Sequence, residues 1–297
     1  MLTGTLQPLL VIWGAMALAH AVVTALPAPG EKPRAPERWM LFLHGILGTG
    51  ANWRTFAKQM IAAEPTWGAV LVDLRLHGES QQGFPPPHTI AAAARDVAEL
   101  AAAVEAEHEG KVRGVLAHSF GGKVALELAT QRAGDLDHVF VVDSTPSARP
   151  DHRGSESTQH IVDLLNELPT EFESRAAFTA WMEARGVSRA TAMWLAMNVR
   201  AVPNTTRFVF RIDLVGIRAL LADYFTTDLW DILEQPRGVM RAHLVVGGKS
   251  GVVDVADRAH ALRCPRTTLD VIEKADHWVH VDAPEELKAI VLGHLQA

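Results

Sequence analysis

The chain has 297 residues, of which 48% are hydrophobic and 21% charged, a composition typical of a globular protein with a large core. Its 28 Lys and Arg against 34 Asp and Glu give a formal net charge of −6, and without a basic block this charge argues against nucleic-acid binding. One cysteine, Cys264, excludes an internal disulfide framework, a thiolate zinc site and a C-x-x-C redox pair.

The N-terminal region is uncharged and mostly apolar from Leu9 to Leu26. Three interpretations stay open. The segment is a secretory signal with an A-x-A site at Ala19 to Ala21, or it is a membrane anchor. In the third interpretation, Met16 is the biological start and residues 20–26 form an edge strand. We favour the edge strand, because no Lys or Arg precedes the apolar run. We therefore expect a cytoplasmic protein without membrane association, with export through residues 1–21 as the alternative.

Beyond a proline-rich linker, short apolar runs alternate with helical patterns. The predicted strands are residues 39–43, 69–72, 112–116, 139–142, 243–246 and 268–272. The predicted helices between them are residues 52–63, 90–107, 122–132, 255–262 and 285–295. Thr89 is the expected N-cap of the second helix. Continuous rather than alternating apolar strands predict a parallel sheet covered on both faces, hence an α/β fold.

Strand patterns are absent between Ser147 and Arg237. Helical periodicity replaces them over residues 156–168, 175–184, 189–199 and 214–222. We expect this insertion to form a helical cap over the carboxyl edge of the sheet, where open α/β sheets bind ligands; a segment that only covers apolar surface is the alternative. The predicted organisation is an N-terminal extension and linker (1–36), a core (37–146 and 238–297) and a cap (147–237).

The strongest chemical signal is Ala117-His118-Ser119-Phe120-Gly121, between an apolar strand and a helix. A small-x-Ser-x-Gly segment in this position predicts a nucleophile elbow, in which a sharp turn exposes the serine hydroxyl. Ala117 stands where glycine is usual. A serine that merely caps the following helix is the alternative.

His44 and Gly45 follow the first buried strand, and here the sequence resembles the α/β-hydrolase superfamily, whose members carry an H-G motif after their third strand. The resemblance implies an α/β-hydrolase fold with a mostly parallel central sheet flanked by helices, and with the helical cap inserted after the strand that the family counts as its sixth. It also implies an oxyanion hole made by the backbone N–H groups of Ile46 and Phe120.

The segment from Asp73 to Ser80 narrows the resemblance. It is similar to the D-x-R-N-H-G-x-S segment of small serine esterases with helical caps, with Leu76 in place of Asn. We expect Asp73, Arg75 and His77 to organise the loop beside the active site, and a solvent-exposed polar turn is the alternative.

The general base is expected after the last strand, where His277 and His280 both lie. We choose His277, because it is nearer the strand end and precedes the final helix at the distance that the superfamily shows. His280 is then a surface or packing histidine. A metal bound by the two is disfavoured, because no H-E-x-x-H motif or carboxylate cluster accompanies them.

The acid is where the chain departs from the family pattern. Most members place it in a G-x-x-D turn after strand seven, and here Ser250 occupies that place. Asp143, at the end of an earlier strand, can reach His277 Nδ1 while Ser119 faces Nε2. We therefore prefer Asp143 over Asp254, which the start of the following helix explains.

These residues predict a serine hydrolase acting on a small-molecule carboxylic ester or thioester, with no cofactor and no metal. Perhydrolysis, C–C bond hydrolysis, acyl transfer and a non-catalytic ligand-binding module on the same scaffold remain alternatives. Large apolar side chains of the cap form an acyl-chain pocket or simply attach the cap to the body; they are Trp181, Met182, Met193, Trp194, Met197 and Phe208. We expect short to medium acyl chains, because no interfacial amphipathic segment is evident.

Overall fold

A computed structural model describes residues 17–27, 30, 34–153 and 156–296. The elements in chain order are β1 (His20–Val23), β2 (Arg38–Leu43), α1 (Arg54–Ala63), β3 (Trp67–Val72), α2 (Ile90–Glu107), β4 (Lys111–His118), α3 (Phe120–Gln131), β5 (His138–Val142), α4 (Glu156–Leu165), α5 (Arg175–Glu183), α6 (Arg189–Leu195), β6 (Val199–Ala201), β7 (Phe208–Phe210), α7 (Leu214–Thr226), α8 (Trp230–Glu234), β8 (Arg241–Gly247), α9 (Val255–Ala261), β9 (Thr267–Ile272), α10 (Val279–Asp282) and α11 (Pro284–Leu295).

Seven of the described strands form one sheet in the order β1-β3-β2-β4-β5-β8-β9. Strand β1 is antiparallel to its neighbour β3, and all other pairs are parallel. Strand β2 is apolar along its length because both of its faces are buried: Trp39 and Leu41 pack with α2 and α3, and Met40 and Phe42 with α1 and α11. The mostly parallel sheet flanked by helices that the sequence predicts is confirmed.

The N-terminal edge strand is shorter than expected. It ends at Val23, and Leu18 just before it is buried at 2% exposure. Two hydrogen bonds of the Ala19 backbone fix the start of β1, since the Ala19 N–H donates to Ser80 Oγ and the Asp73 N–H donates to the Ala19 carbonyl. The apolar run of residues 1–16 lies outside the described residues. No helix in the described part of the chain is both long and apolar enough to cross a membrane.

The insertion, residues 147–237, lies between β5 and β8 in the chain. Strand β5 is the fifth strand in chain order, although the family counts it as the sixth. The expectation of helices alone was wrong, because β6 and β7 pair antiparallel. The predicted helix 189–199 ends at Leu195, and the chain reverses through Asn204 in a left-handed conformation (φ 61°) before the Phe-Val-Phe of β7. These aromatic and β-branched residues favour a strand.

Candidate active site

Ser119 lies on the sharp turn between β4 and α3. Its backbone adopts φ 53° and ψ −119°, a conformation that is strained for any residue with a side chain. The Ser119 N–H donates to the Val142 carbonyl at 3.0 Å, which holds the turn against the end of β5. This is the geometry of a nucleophile elbow.

The close approach of α3 to β2 explains the glycine that follows the elbow. A Cβ atom on Gly121 would lie 2.7 Å from the His44 carbonyl oxygen and 3.0 Å from two atoms of Leu43. Ala117, on the strand side, is fully buried, so the structure accommodates its methyl group. The departure from glycine at this position is therefore compatible with the turn.

His277 lies in the turn after β9, with a side chain 26% exposed. Its Nδ1 is 2.7 Å from Oδ2 of the fully buried Asp143. A carboxylate accepts a hydrogen bond from the Nδ1–H group, so a neutral ring in this tautomer keeps Nε2 as its free acceptor. The structure thus brings together the predicted base and the preferred acid.

Three further hydrogen bonds position Asp143, whose own backbone is left-handed (φ 45°). Its N–H donates to the Val245 carbonyl at 2.8 Å. Its Oδ1 accepts from the Gly247 N–H at 3.0 Å, and its Oδ2 accepts from Ser250 Oγ at 2.6 Å. The serine found in place of the family's usual acid therefore donates a hydrogen bond to Asp143. Sequence reasoning noticed Ser250 only as a missing carboxylate.

Asp254 has a different role. Its side chain accepts from the Asp257 N–H at 2.9 Å and caps α9, and its carboxylate lies 3.1 Å from the Arg149 guanidinium. The Asp257 N–H and then the nearby arginines lower the pKa of Asp254. Helix capping and the ion pair with Arg149 explain the presence of Asp254 without a role in catalysis.

Ile46 and Phe120 border the same pocket as Ser119 and His277. Within the described part of the chain, neither backbone N–H donates a hydrogen bond to another protein atom. Both groups are thus available to an oxyanion formed at Ser119, as the resemblance implies.

Two buried histidines hold the loop that carries Ile46. His44 Nε2 accepts from the Leu74 N–H at 3.0 Å, and His77 Nε2 accepts from the Leu47 N–H at 2.9 Å. Each ring donates its Nδ1 proton to a nearby backbone carbonyl. Burial lowers the pKa of His44 to about 4 and that of His77 to about 3, so both rings are neutral and accept at Nε2.

The neighbouring Asp73 and Arg75 fix the same region. The Asp73 carboxylate accepts from the Gly50 N–H at 2.7 Å and the Glu79 N–H at 2.9 Å. Arg75 forms a two-point ion pair with Asp96 on α2, at 2.6 and 3.0 Å. Since Arg75 is only 5% exposed, the alternative of a solvent-exposed polar turn is wrong.

His118, which sequence reasoning did not single out, supports the base. It is buried, and its Nε2 donates to the backbone carbonyl of His277 at 2.8 Å. Burial, and then the neighbouring His277 and His280, lower the pKa of His118 well below its ordinary value. Its position directly before the nucleophile was the only available signal.

His280 packs against Trp53 and His118, with ring centroids 4.6 and 4.7 Å apart. Burial lowers the pKa of His280 to about 4. It is a packing histidine. The described residues contain no group of three or more His, Cys, Asp or Glu placed to hold a metal ion.

The pocket at Ser119 has a volume of about 100 Å³. The insertion supplies one wall, and the turn after β8 and the His277 loop supply much of the rest. The lining residues from the insertion are Thr158, Leu221, Tyr224 and Phe225. None of the six apolar cap residues singled out from the sequence lines this pocket. Met182 and Phe208 pack inside the insertion, and Met193 and Met197 are largely exposed.

Comparisons with known proteins agree with this architecture. The family model described as "Alpha/beta hydrolase family" matches residues 40–290. "sn-1-specific diacylglycerol lipase ABHD11" of Mus musculus is 28% identical over 262 residues, covering 86% of this chain and 80% of the relative. "Esterase Rv0045c" of Mycobacterium tuberculosis is 28% identical over 284 residues, covering 92% and 86%. The solved structure "Marine microorganism esterase" shares the fold with a TM-score of 0.76 at 18% identity, covering 94% of this chain and 99% of that chain.

Proposed function

Because the chain belongs to the alpha/beta hydrolase family, we propose that it is a serine hydrolase that cleaves carboxylic esters or thioesters through an acyl-enzyme on Ser119. The observation that carries the proposal is the 2.7 Å contact between Asp143 and His277 beside a strained Ser119, on one pocket. The names of two relatives, a diacylglycerol lipase and an esterase, support the ester class.

In this mechanism His277 Nε2 takes the proton of Ser119 as its Oγ attacks the acyl carbon. Asp143 holds the ring in the tautomer that leaves Nε2 free and stabilises the imidazolium that forms. The N–H groups of Ile46 and Phe120 stabilise the oxyanion. The imidazolium then protonates the leaving alcohol or thiol, and water, activated by the same histidine, releases the acid.

The pocket favours a small acyl group. An apolar cavity of about 150 Å³ is known to hold a six-carbon ring, so about 100 Å³ corresponds to roughly four carbons. Leu221, Tyr224, Phe225 and Val252 contribute apolar side chains to walls that also carry polar groups. In this proposal the insertion serves as the cap that closes the acyl site and limits chain length.

The proposal is tested by replacing Ser119. Ser119→Ala should lower kcat/KM for p-nitrophenyl butyrate on the order of 10⁴-fold or more, with an unchanged circular dichroism spectrum. Ser188→Ala, which removes the exposed hydroxyl that caps α6 in the insertion, is the control and should keep wild-type activity. Undiminished turnover by Ser119→Ala would rule out the mechanism.

A chain-length series addresses the substrate. Esters and acyl thioesters of two to sixteen carbons, assayed in parallel, should give the highest kcat/KM at about four carbons. An optimum at sixteen carbons would contradict a small acyl site. Product analysis with added alcohol or peroxide separates hydrolysis from acyl transfer and perhydrolysis, and complete absence of turnover would favour a ligand-binding module.

A further inference from the structure

One lysine is completely buried behind the nucleophile. Lys123 lies on α3, four residues after Ser119, and its side chain has no solvent exposure. Its Nζ donates to three backbone carbonyls, those of Ser147 at 2.8 Å and of Tyr224 and Thr227 at 2.7 Å. An ammonium has three N–H donors, so every donor has a partner. The mechanism proposed above does not use this group.

The three carbonyls belong to the two ends of the insertion. Ser147 is its first residue, whereas Tyr224 and Thr227 lie at the carboxyl end of α7, where helix carbonyls lack internal partners and favour a positive charge. The two ends also contact each other, since the Arg149 N–H donates to the Phe225 carbonyl and the Leu229 N–H to that of Pro146. A single ammonium therefore joins both ends of the insertion to the helix that starts at the nucleophile.

The same turn of α7 forms the pocket wall. Tyr224, which accepts from Lys123, and Phe225, the next residue, both line the pocket opposite Ser119 and His277. The Lys123 Nζ also lies 4.5 Å from the centroid of the Tyr224 ring, a cation–π contact. Loss of the ammonium would remove the partner of the Tyr224 and Thr227 carbonyls and so release the backbone that carries the Tyr224 and Phe225 side chains.

We propose that Lys123 is a positioning residue that sets acyl-chain selectivity by holding the Tyr224–Phe225 wall against the nucleophile helix. The inference rests on the proposed ester hydrolysis. Lys123 contacts no reacting atom, so it acts on substrate fit rather than on bond cleavage. Its removal should therefore raise KM for a substrate that fills the pocket and leave kcat nearly unchanged.

The contacts of Lys123 with the carbonyls of Ser147, Tyr224 and Thr227, which we call the clip, depend on pH. Burial, the largest cause, lowers the pKa of Lys123 to about 8. Arg149 lowers it further, and three carboxylates oppose the shift: Asp228 beside the end of α7, Asp257 on α9 and Asp223 on α7. Above this pKa the neutral amine has only two N–H groups for three carbonyls, so one contact is lost and the wall loosens.

The test compares p-nitrophenyl butyrate with p-nitrophenyl acetate. Lys123→Met keeps an unbranched side chain but removes the ammonium, and Lys58→Met, on the exposed face of α1, is the matched control. Lys123→Met should raise KM for the butyrate about tenfold with kcat within threefold, and should lower the butyrate-to-acetate ratio of kcat/KM. Lys58→Met should keep the wild-type ratio. An unchanged ratio in a folded Lys123→Met enzyme overturns the proposal.

The wild-type enzyme provides a second measurement if Lys123→Met does not fold. Its butyrate-to-acetate ratio should fall as the pH rises through about 8, because Lys123 then loses its charge and the wall loosens. Effects of pH that both substrates share cancel in the ratio. A ratio that stays constant from pH 7 to pH 10 overturns the proposal.

Hydrogen exchange separates this inference from the proposed function. If the wild type hydrolyses no ester, ester hydrolysis fails as the function, but the clip is still testable. The backbone amides of residues 224–230 should exchange faster in wild type at pH 9.5 than at pH 7, after correction for the intrinsic pH dependence. Equal protection at both pH values overturns the clip.

Discussion

The Asp143 carboxylate is fully buried and receives hydrogen bonds from the Gly247 N–H, Ser250 Oγ and His277 Nδ1. Leaving a buried carboxylate without partners is costly, and these three donors give both of its oxygens a partner. Ser250 supplies one of them from the place where relatives usually carry the acid. We propose that Asp143 takes the role of the acid and that Ser250 supports it by this hydrogen bond.

Asp143→Asn tests this assignment. The amide would present an N–H to His277 in place of an acceptor and favour the wrong ring tautomer, so kcat should fall on the order of 10⁴-fold with little change in fold. Asp254→Asn is the matched control, because Asn caps a helix as well as Asp does, and it should change kcat less than threefold. The reverse ranking in steady-state kinetics would transfer the acid to Asp254.

Helix α3 can lie close to β2 because Gly121 has no side chain. Gly121→Ala would place a Cβ against the His44 carbonyl and Leu43, both on or next to β2. The helix must then move away from the strand, so the free energy of unfolding should fall by about 1–3 kcal/mol. Since Ser119 moves with the helix, kcat/KM should fall at least tenfold.

Gly293→Ala is the matched control for that change. Gly293 lies within α11, and a Cβ there would meet nothing within 4 Å. Alanine favours the helix over glycine, so urea denaturation should show a gain of about 0.5–1 kcal/mol. Destabilisation of equal size in both variants would show that close packing at the elbow is not the cause.

The elements that the sequence predicted well are those whose burial pattern is unambiguous. Strands such as β2 are apolar on both faces, and Thr89 caps α2 as expected by accepting from the Ala92 N–H. The β6–β7 hairpin was missed because three-residue strands are too short to show alternation. The short helices α8 and α10 likewise contain too few residues to show a period.

The residues of the site also differ in how well the sequence predicts them. Ser119 and the H-G loop follow strand ends, so local sequence predicts their place. The contacts of His118 and Ser250 with the base and the acid join residues more than 100 positions apart, 159 and 107 respectively, and no local pattern encodes them. The pocket wall was misplaced because periodicity shows that one face of α7 is apolar but not whether that face meets the core or a cavity.

For the molecule as a whole, buried neutral histidines set the response to acid. Burial lowers the pKa to about 4 for His44, His138 and His280, and to about 3 for His77 and His243. The unfolded chain binds protons at these residues near pH 6.5, whereas the folded chain does not. Their stabilisation is therefore complete above pH 6.5 and is lost as the pH falls toward 4.

The expected loss is about 1.4 kcal/mol per pH unit for each histidine between these limits. Urea midpoints measured at pH 7, 6 and 5 should therefore decrease steeply. His160→Gln, which changes an exposed histidine of the insertion, should leave the slope unaltered. A midpoint at pH 5 equal to that at pH 7 would show that these rings are not held neutral by burial.

We propose that Ser119 is the reacting nucleophile of an ester hydrolase. The most direct test is stoichiometric labelling with a fluorophosphonate, followed by intact-protein and peptide mass spectrometry and by assay of the remaining esterase activity. We expect one phosphonyl group per chain, located on Ser119, with activity lost in proportion to labelling. Full esterase activity in a completely labelled enzyme, or a label elsewhere with Ser119 unmodified and activity lost, would contradict it.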